Sequence, residues 1–167
     1  MPTGLKRFHQ TNQLHFITFS CYKRQPFLHS EEGKDTVQQI LEQTRKQQGL
    51  RIAAYVLMPE HVHLLTNEPA TGTLATFLQI LKQLTSRKLK SPTQKQFWQL
   101  RYYDFNVSTP EKLIEKRQYI HRNPVTRNLV TKPQDYRWSS FNHYATGEPH
   151  PIEIESQWTA RARELKI

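Results

Sequence analysis

The chain has 167 residues, only 36% of them hydrophobic, and its 24 lysines and arginines exceed its 14 aspartates and glutamates to give a formal charge of +10. That length suits one domain with a buried core, and the charge points to a polyanionic partner while saying nothing about fold. The single cysteine, Cys21, excludes an internal disulfide; with no apolar run near ~18 residues and no signal-peptide core, the expectation is a cytoplasmic protein without a membrane partner.

Residues 14–22, LHFITFSCY, are β-branched and aromatic and predict a strand ended by Lys23 to Pro26. Over 31–48, Val37, Ile40, Leu41 and Thr44 recur at helical spacing, and Gly49 is placed to stop that helix. Arg51 to Met58 predict a second strand. Pro59 cannot donate a ladder hydrogen bond, so the turn falls at Met58–Glu60 and His61 to Thr66 return as a third strand. Leu74, Phe77, Leu78, Leu81 and Leu84 make 73–90 an amphipathic helix. After the loop SPTQKQ, Phe97 to Val107 predict a fourth, aromatic-rich strand. Thr109 and Pro110 start a helix, threonine as cap and proline at the first helical position. It is expected to run to about Arg122 and stop before Asn123-Pro124. The remainder, 125–167, is Pro-rich, with a short element around Tyr136 to Tyr144.

The order β-α-β-β-α-β-α is that of a split-βαβ, ferredoxin-like α+β fold, an antiparallel sheet with helices on one face and a helix added after it. The expected domain spans 1–147, with 148–167 as a C-terminal tail packed on it or extending from it.

In His61-Val62-His63, strand alternation puts both imidazoles on one face and Val62 and Leu64 on the other. Such a pair also occurs as ordinary structural residues. As ligands, two neutral imidazoles do not saturate a divalent ion, so oxygen donors must come from elsewhere and positions stay open for a phosphate. On its helix, Tyr119 falls roughly opposite the centre of a cluster formed by Leu113, Ile114 and Ile120. That weakens a core-packing role and leaves a hydroxyl nucleophile. Asn123, one turn on and on the same side, reads equally as an amide oxygen for a metal or as a helix-ending Asn-Pro pair.

Candidate cations for a nucleic-acid partner are Lys23 and Arg24 after the first strand, and Lys82, Arg87 and Lys88, with Lys90, on or just past the second helix. Arg101 sits among Trp98, Tyr102, Tyr103 and Phe105, and Lys116, Arg122 and Arg127 accompany the tyrosine helix. Aromatics interleaved with cations suit stacked single-stranded bases, though each cluster also reads as a solvated face. Trp138 reads as a core anchor for the C-terminal segment.

HVH after MPE, then WQLRYYDFNV, YIHRNPVTRNLV and DYRWSSF, resemble in order and spacing the REP-associated tyrosine transposases, a group of single-tyrosine HUH transposases of the IS200/IS605 kind. The resemblance runs from about Leu14 to Gly147. It implies a ferredoxin-like HUH nuclease fold in which His61 and His63 match the metal-binding histidines and Tyr119 matches the nucleophile. Asn123 matches the third ligand, where insertion-sequence relatives usually carry Gln. Glu60 departs from the pattern, since family members commonly have Asn there, and its negative charge bears on metal preference. The implied activity is cleavage and rejoining of single-stranded DNA at hairpins, REP-like palindromes, through a 5′-phosphotyrosine assisted by Mg²⁺ or Mn²⁺. The resemblance leaves monomer and homodimer open. Two other readings are a non-catalytic basic nucleic-acid-binding module on an RRM-like sheet, and a replication or conjugation initiator of the same chemistry, which generally carries further domains.

Overall fold

The computed structural model describes residues 13–165; the outer limits of the expected domain and tail, at 1 and 167, lie outside the described residues. Strands β1 (Leu14–Ser20), β2 (Ile52–Leu57), β3 (His61–Thr66) and β4 (Tyr103–Val107) form one antiparallel sheet in the order β2-β3-β1-β4. Helix α1 (Glu31–Gln48) joins β1 to β2, and α2 (Leu74–Leu89) joins β3 to β4. After the sheet come α3 (Pro110–Thr126), α4 (Phe141–Thr146) and α5 (Gln157–Glu164). This is the ferredoxin-like arrangement that the element order predicts.

Register divides the sheet into two faces. Thr18 pairs with His63, Ser20 with His61 and Phe16 with Leu65, so these share one side. Ile17, Phe19, Val62 and Leu64 share the other and are buried. There α1 and α2 pack: Gln38 donates to Tyr55 Oη at 2.7 Å, and Lys82 lies over the Phe19 ring. Fully burying each apolar side chain of that layer contributes roughly 1.5–3 kcal/mol. Helix α3 crosses the opposite face, with Lys116 and Tyr119 against Phe16. Side-chain caps start the three long helices, as Ser30, Thr73 and Thr109 accept from Gly33, Thr76 and Lys112. Gly49 ends α1 at φ 65°, where a Cβ would meet Ala70 at 2.7 Å.

Three expectations are corrected. The fourth strand begins only at Tyr103. Phe97 and Trp98 are adjacent and both buried, at 1% and 4% exposure, which an alternating strand on one core does not allow. The segment instead hangs from the end of β1 and leans on α2. Tyr22 N–H donates to Phe97 O, Gln99 N–H to Ser20 O, and Trp98 Nε1 to Thr85 Oγ1 of α2. Helix α3, second, does not stop at Asn123 but runs through Pro124 to Thr126. Proline forfeits one helical bond there, yet Arg127 N–H reaches Asn123 O at 3.0 Å and Leu129 N–H reaches Pro124 O at 2.9 Å, which holds the last turn closed. Third, Ile114 is 47% exposed. The buried residues of α3 are Ile120, His121, Asn123 and Pro124, because only its C-terminal part is pressed onto the sheet.

The chain after α3 closes the outer side of β2. Leu57 N–H donates to Trp138 O, Ser140 N–H to Tyr55 O, Tyr55 N–H to Ser140 Oγ, and Glu155 N–H to Ile52 O. Tyr144 Oη donates to Ala53 O at 2.6 Å. Ile152 and Ile154 are buried beside it. Trp138 anchors this layer as expected, its Nε1 donating to Asp35 Oδ1 at 2.8 Å beneath the Lys34 ammonium. Helix α5, capped by Ser156, was not foreseen. Among the described residues, no helix is long and apolar enough to cross a membrane.

Candidate active site

His61 and His63 project from β3 onto the α3 face, and their Nε2 atoms lie 3.0 Å apart. Each ring is held by its other nitrogen, His61 Nδ1 by Glu60 Oε1 at 2.9 Å and His63 Nδ1 by Thr18 Oγ1 at 2.8 Å. Phe16 stacks on the His63 ring at 5.2 Å. Burial pushes the His61 pKa down to about 4 against the opposing charge of Glu60, and burial followed by the neighbouring His61 pushes His63 well below its ordinary value. Both rings are therefore neutral at neutral pH, the protonation state that a ligand needs. In the tautomer whose Nδ1–H donates to the neighbouring oxygen, each ring would turn an Nε2 lone pair toward the same space. Outer hydrogen bonds of this kind are what orient metal-binding imidazoles.

Asn123 lies one turn beyond Tyr119 on α3 and is buried, and its Oδ1 has no hydrogen-bond partner. Leaving a buried carbonyl oxygen unpaired costs about 1–3 kcal/mol. Among the described residues, no group of three His, Cys, Asp or Glu side chains is placed to hold a metal. Two imidazoles and an amide oxygen do fit a divalent ion that accepts nitrogen and oxygen donors. All three are neutral, so the ion would keep its charge for an anionic substrate.

Tyr119 is 52% exposed. Its ring meets His63 edge-on at 5.4 Å and Phe16 at 6.0 Å. A cleft of about 380 Å³ opens beside it, lined by Phe16, Thr18, His63, Tyr103, Lys116 and Tyr119. A phenol hydroxyl, a cation and a neutral imidazole around one open cleft can bind a phosphodiester and attack its phosphorus.

Of the candidate cations, Arg24, Arg101, Lys116 and Arg127 border this region. Lys116 stands over Phe16 and Phe105, Arg127 pairs with Glu60 at 2.8 Å, and Arg24 and Arg101 line the adjoining cleft with Thr18. Lys23 stands over the Tyr22 ring, and Arg122 is exposed on α3. Lys82, Arg87 and Lys88 belong to α2 on the opposite face, where Lys82 donates to Gln99 O. Sequence reasoning missed Thr18 and Phe16. Their signal was a polar residue alternating with apolar ones in LHFITFS, but the partner of Thr18 depends on strand register.

The sheet thus presents a histidine pair to a tyrosine-bearing helix across one open cleft. The model of the family described as "Transposase IS200 like" matches residues 9–123, and the chain belongs to that family. It is 26% identical over 122 residues to a protein of Haemophilus influenzae named "Putative REP-associated tyrosine transposase", a match covering 65% of this chain and 69% of that one. It is 24% identical over 111 residues to a REP-associated tyrosine transposase of Escherichia coli, covering 65% of each. The matched part is thus about two thirds of the length of these relatives. A solved REP-associated tyrosine transposase bound to a REP hairpin superposes with a TM-score of 0.73 at 18% identity, covering 93% of both chains, and has the same fold.

Proposed function

We propose that this transposase cuts and rejoins single-stranded DNA at hairpins through a covalent bond to Tyr119. The carrying observation is the convergence of His61 and His63 Nε2 at 3.0 Å beside a half-exposed tyrosine, with an unpaired Asn123 Oδ1 one turn further along its helix. Tyr119 Oη forms the new ester bond to phosphorus, the P–O3′ bond breaks, and the departing 3′ oxygen takes up a proton. The products are a 5′-phosphotyrosine and a free 3′-hydroxyl. In rejoining, a 3′-hydroxyl attacks the same phosphorus and returns the phenol, so no nucleotide cofactor is consumed. A divalent ion, Mg²⁺ or Mn²⁺, held by His61, His63 and Asn123 would supply charge neutralisation at the scissile phosphate. Lys116, lining the same cleft, adds a fixed cation for that phosphate.

The REP hairpin bound to the solved relative, together with the +10 charge of this chain, supports a hairpin ligand here. The RRM-like alternative requires open central strands, and α3 lies over Phe16 and His63.

The test is covalent trapping. Wild-type protein incubated with a hairpin oligonucleotide bearing single-stranded flanks and Mn²⁺ should yield an SDS-resistant adduct. Tyr119→Phe should bind the same DNA and yield none. An adduct that persists in the Phe variant sinks the assignment of Tyr119.

A further inference from the structure

Four surface clefts join end to end. The Tyr119 cleft shares Thr18 and Tyr103 with one that holds Arg24 and Arg101. That one shares Gln99 and Arg101 with a third, against Tyr22 and Leu100. The third shares Gln96, Gln99 and Leu100 with a cleft of about 540 Å³ between α2 and residues 95–102. The path therefore starts on the α3 face and ends at α2, which packs on the other face of the sheet.

Its lining is one-sided in charge. Lys116, Arg24, Arg101, Lys82, Lys90 and Lys95 line it, and among the described residues no aspartate or glutamate does. With 14 acidic residues in the chain, a solvated surface of this extent is expected to mix signs. Lys82 is partly spent on shape, because its Nζ holds the carbonyls of Gln99 and Leu100. Lys90 and Lys95 at the far end are exposed.

The junction carries an apolar anomaly. Leu100 is 86% exposed, although the residues before it are tied down through Trp98 Nε1, Gln99 N–H and Lys82. It stands between the Tyr22 ring and the apolar floor formed by Phe97 and Trp98. Cations that follow a path, with apolar and aromatic groups between them, match a single strand, whose phosphates and base faces are both available. A duplex hides its base faces by stacking.

We propose that the cleft between α2 and residues 95–102 is a second DNA subsite, which takes phosphates and an unstacked base of the single-stranded flank leaving the Tyr119 cleft. A volume of about 540 Å³ lies in the range of small-ligand pockets, with room for an unstacked nucleotide. The inference rests on the reading of this chain as a single-strand DNA transferase.

The test uses hairpin oligonucleotides whose 5′ or 3′ flank is lengthened one nucleotide at a time, with affinity read by fluorescence anisotropy. Affinity should rise in a step, on the order of tenfold, once one flank is long enough to reach the subsite. Lys90→Ala/Lys95→Ala should remove the step and flatten the salt dependence of log K by about 1.4, two single-strand phosphate contacts. Leu100→Glu should also remove it. Both variants should form the Tyr119 adduct on the shortest cleavable oligonucleotide as wild type does. A smooth length dependence on both flanks, or a step retained in both variants, overturns the subsite. A flank step without any adduct keeps the subsite and sinks the transferase reading instead, and absence of binding to every single strand sinks both.

Discussion

Glu60 and Arg127, 67 positions apart, are joined at 2.8 Å through the same carboxylate oxygen that meets His61 Nδ1 at 2.9 Å. The turn between β2 and β3 is thereby tied to the residue that caps α3. The negative charge of Glu60 is met by Arg127, with Arg24 at 3.9 Å, while it also polarises one imidazole.

Glu60→Gln keeps the shape and removes the charge, so Mn²⁺ affinity should fall about tenfold, the usual cost of losing an outer partner of a ligand. Thr18→Val should act in the same direction through His63. Isothermal titration of Mn²⁺ reads both, and wild-type affinity in the pair would mean that the rings need no outer support.

Asn123 separates a metal role from a packing role. Asn123→Leu removes an unpaired buried oxygen, so the melting temperature should hold or rise while Mn²⁺ affinity drops. Asn123→Asp keeps an oxygen donor and should retain activity with an altered Mg²⁺/Mn²⁺ preference. A Leu variant that titrates as wild type makes Asn123 a structural residue.

His15 gives the stability a pH dependence. It is fully buried, with Nδ1 at 2.8 Å from Asp104 Oδ1 and Nε2 at 3.1 Å from Glu68 Oε1. Burial pulls its pKa down, but the hydrogen bonds and charges of the two carboxylates outweigh burial, and the net shift is upward from 6.5. A raised folded-state value stabilises fully below the unfolded pKa and loses that contribution as pH rises through the folded value. Unfolding free energy should therefore decline from pH 6.5 upward over that window. His15→Gln should remove that part of the slope, and an identical slope in the variant would dismiss the assignment.

Cys21 is wholly buried, and burial pushes its thiol up to about 12. Folded protein should resist iodoacetamide at about pH 8 and become labelled only on denaturation. Rapid labelling of the native state would show that the end of β1 opens.

Much of this site was legible because its rules are local. Strand alternation is enough to put His61 and His63 on one face, and a four-residue step puts Asn123 beneath Tyr119. What failed depended on distant partners. Phe97 and Trp98 read as strand because aromatics favour strands, but Trp98 is fixed by Thr85 of α2 and the carbonyl of the next residue, Gln99, by Lys82 of the same helix. A helical projection counts Ile114 as buried, since it does not contain the place where α3 leaves the sheet. The Asn-Pro stop was overridden by bonds from Arg127 and Leu129 further along the chain. Thr18 was invisible as a partner of His63 until the strands were paired.

With the hydrogen-bonding groups of β2 claimed by Trp138, Ser140, Tyr144 and Glu155, that side of the sheet is no template for a further strand. Among the described residues, no other strand lies along the outer side of β4, which is five residues long. A homodimer or aggregate cannot enlarge the sheet by adding a strand along β2.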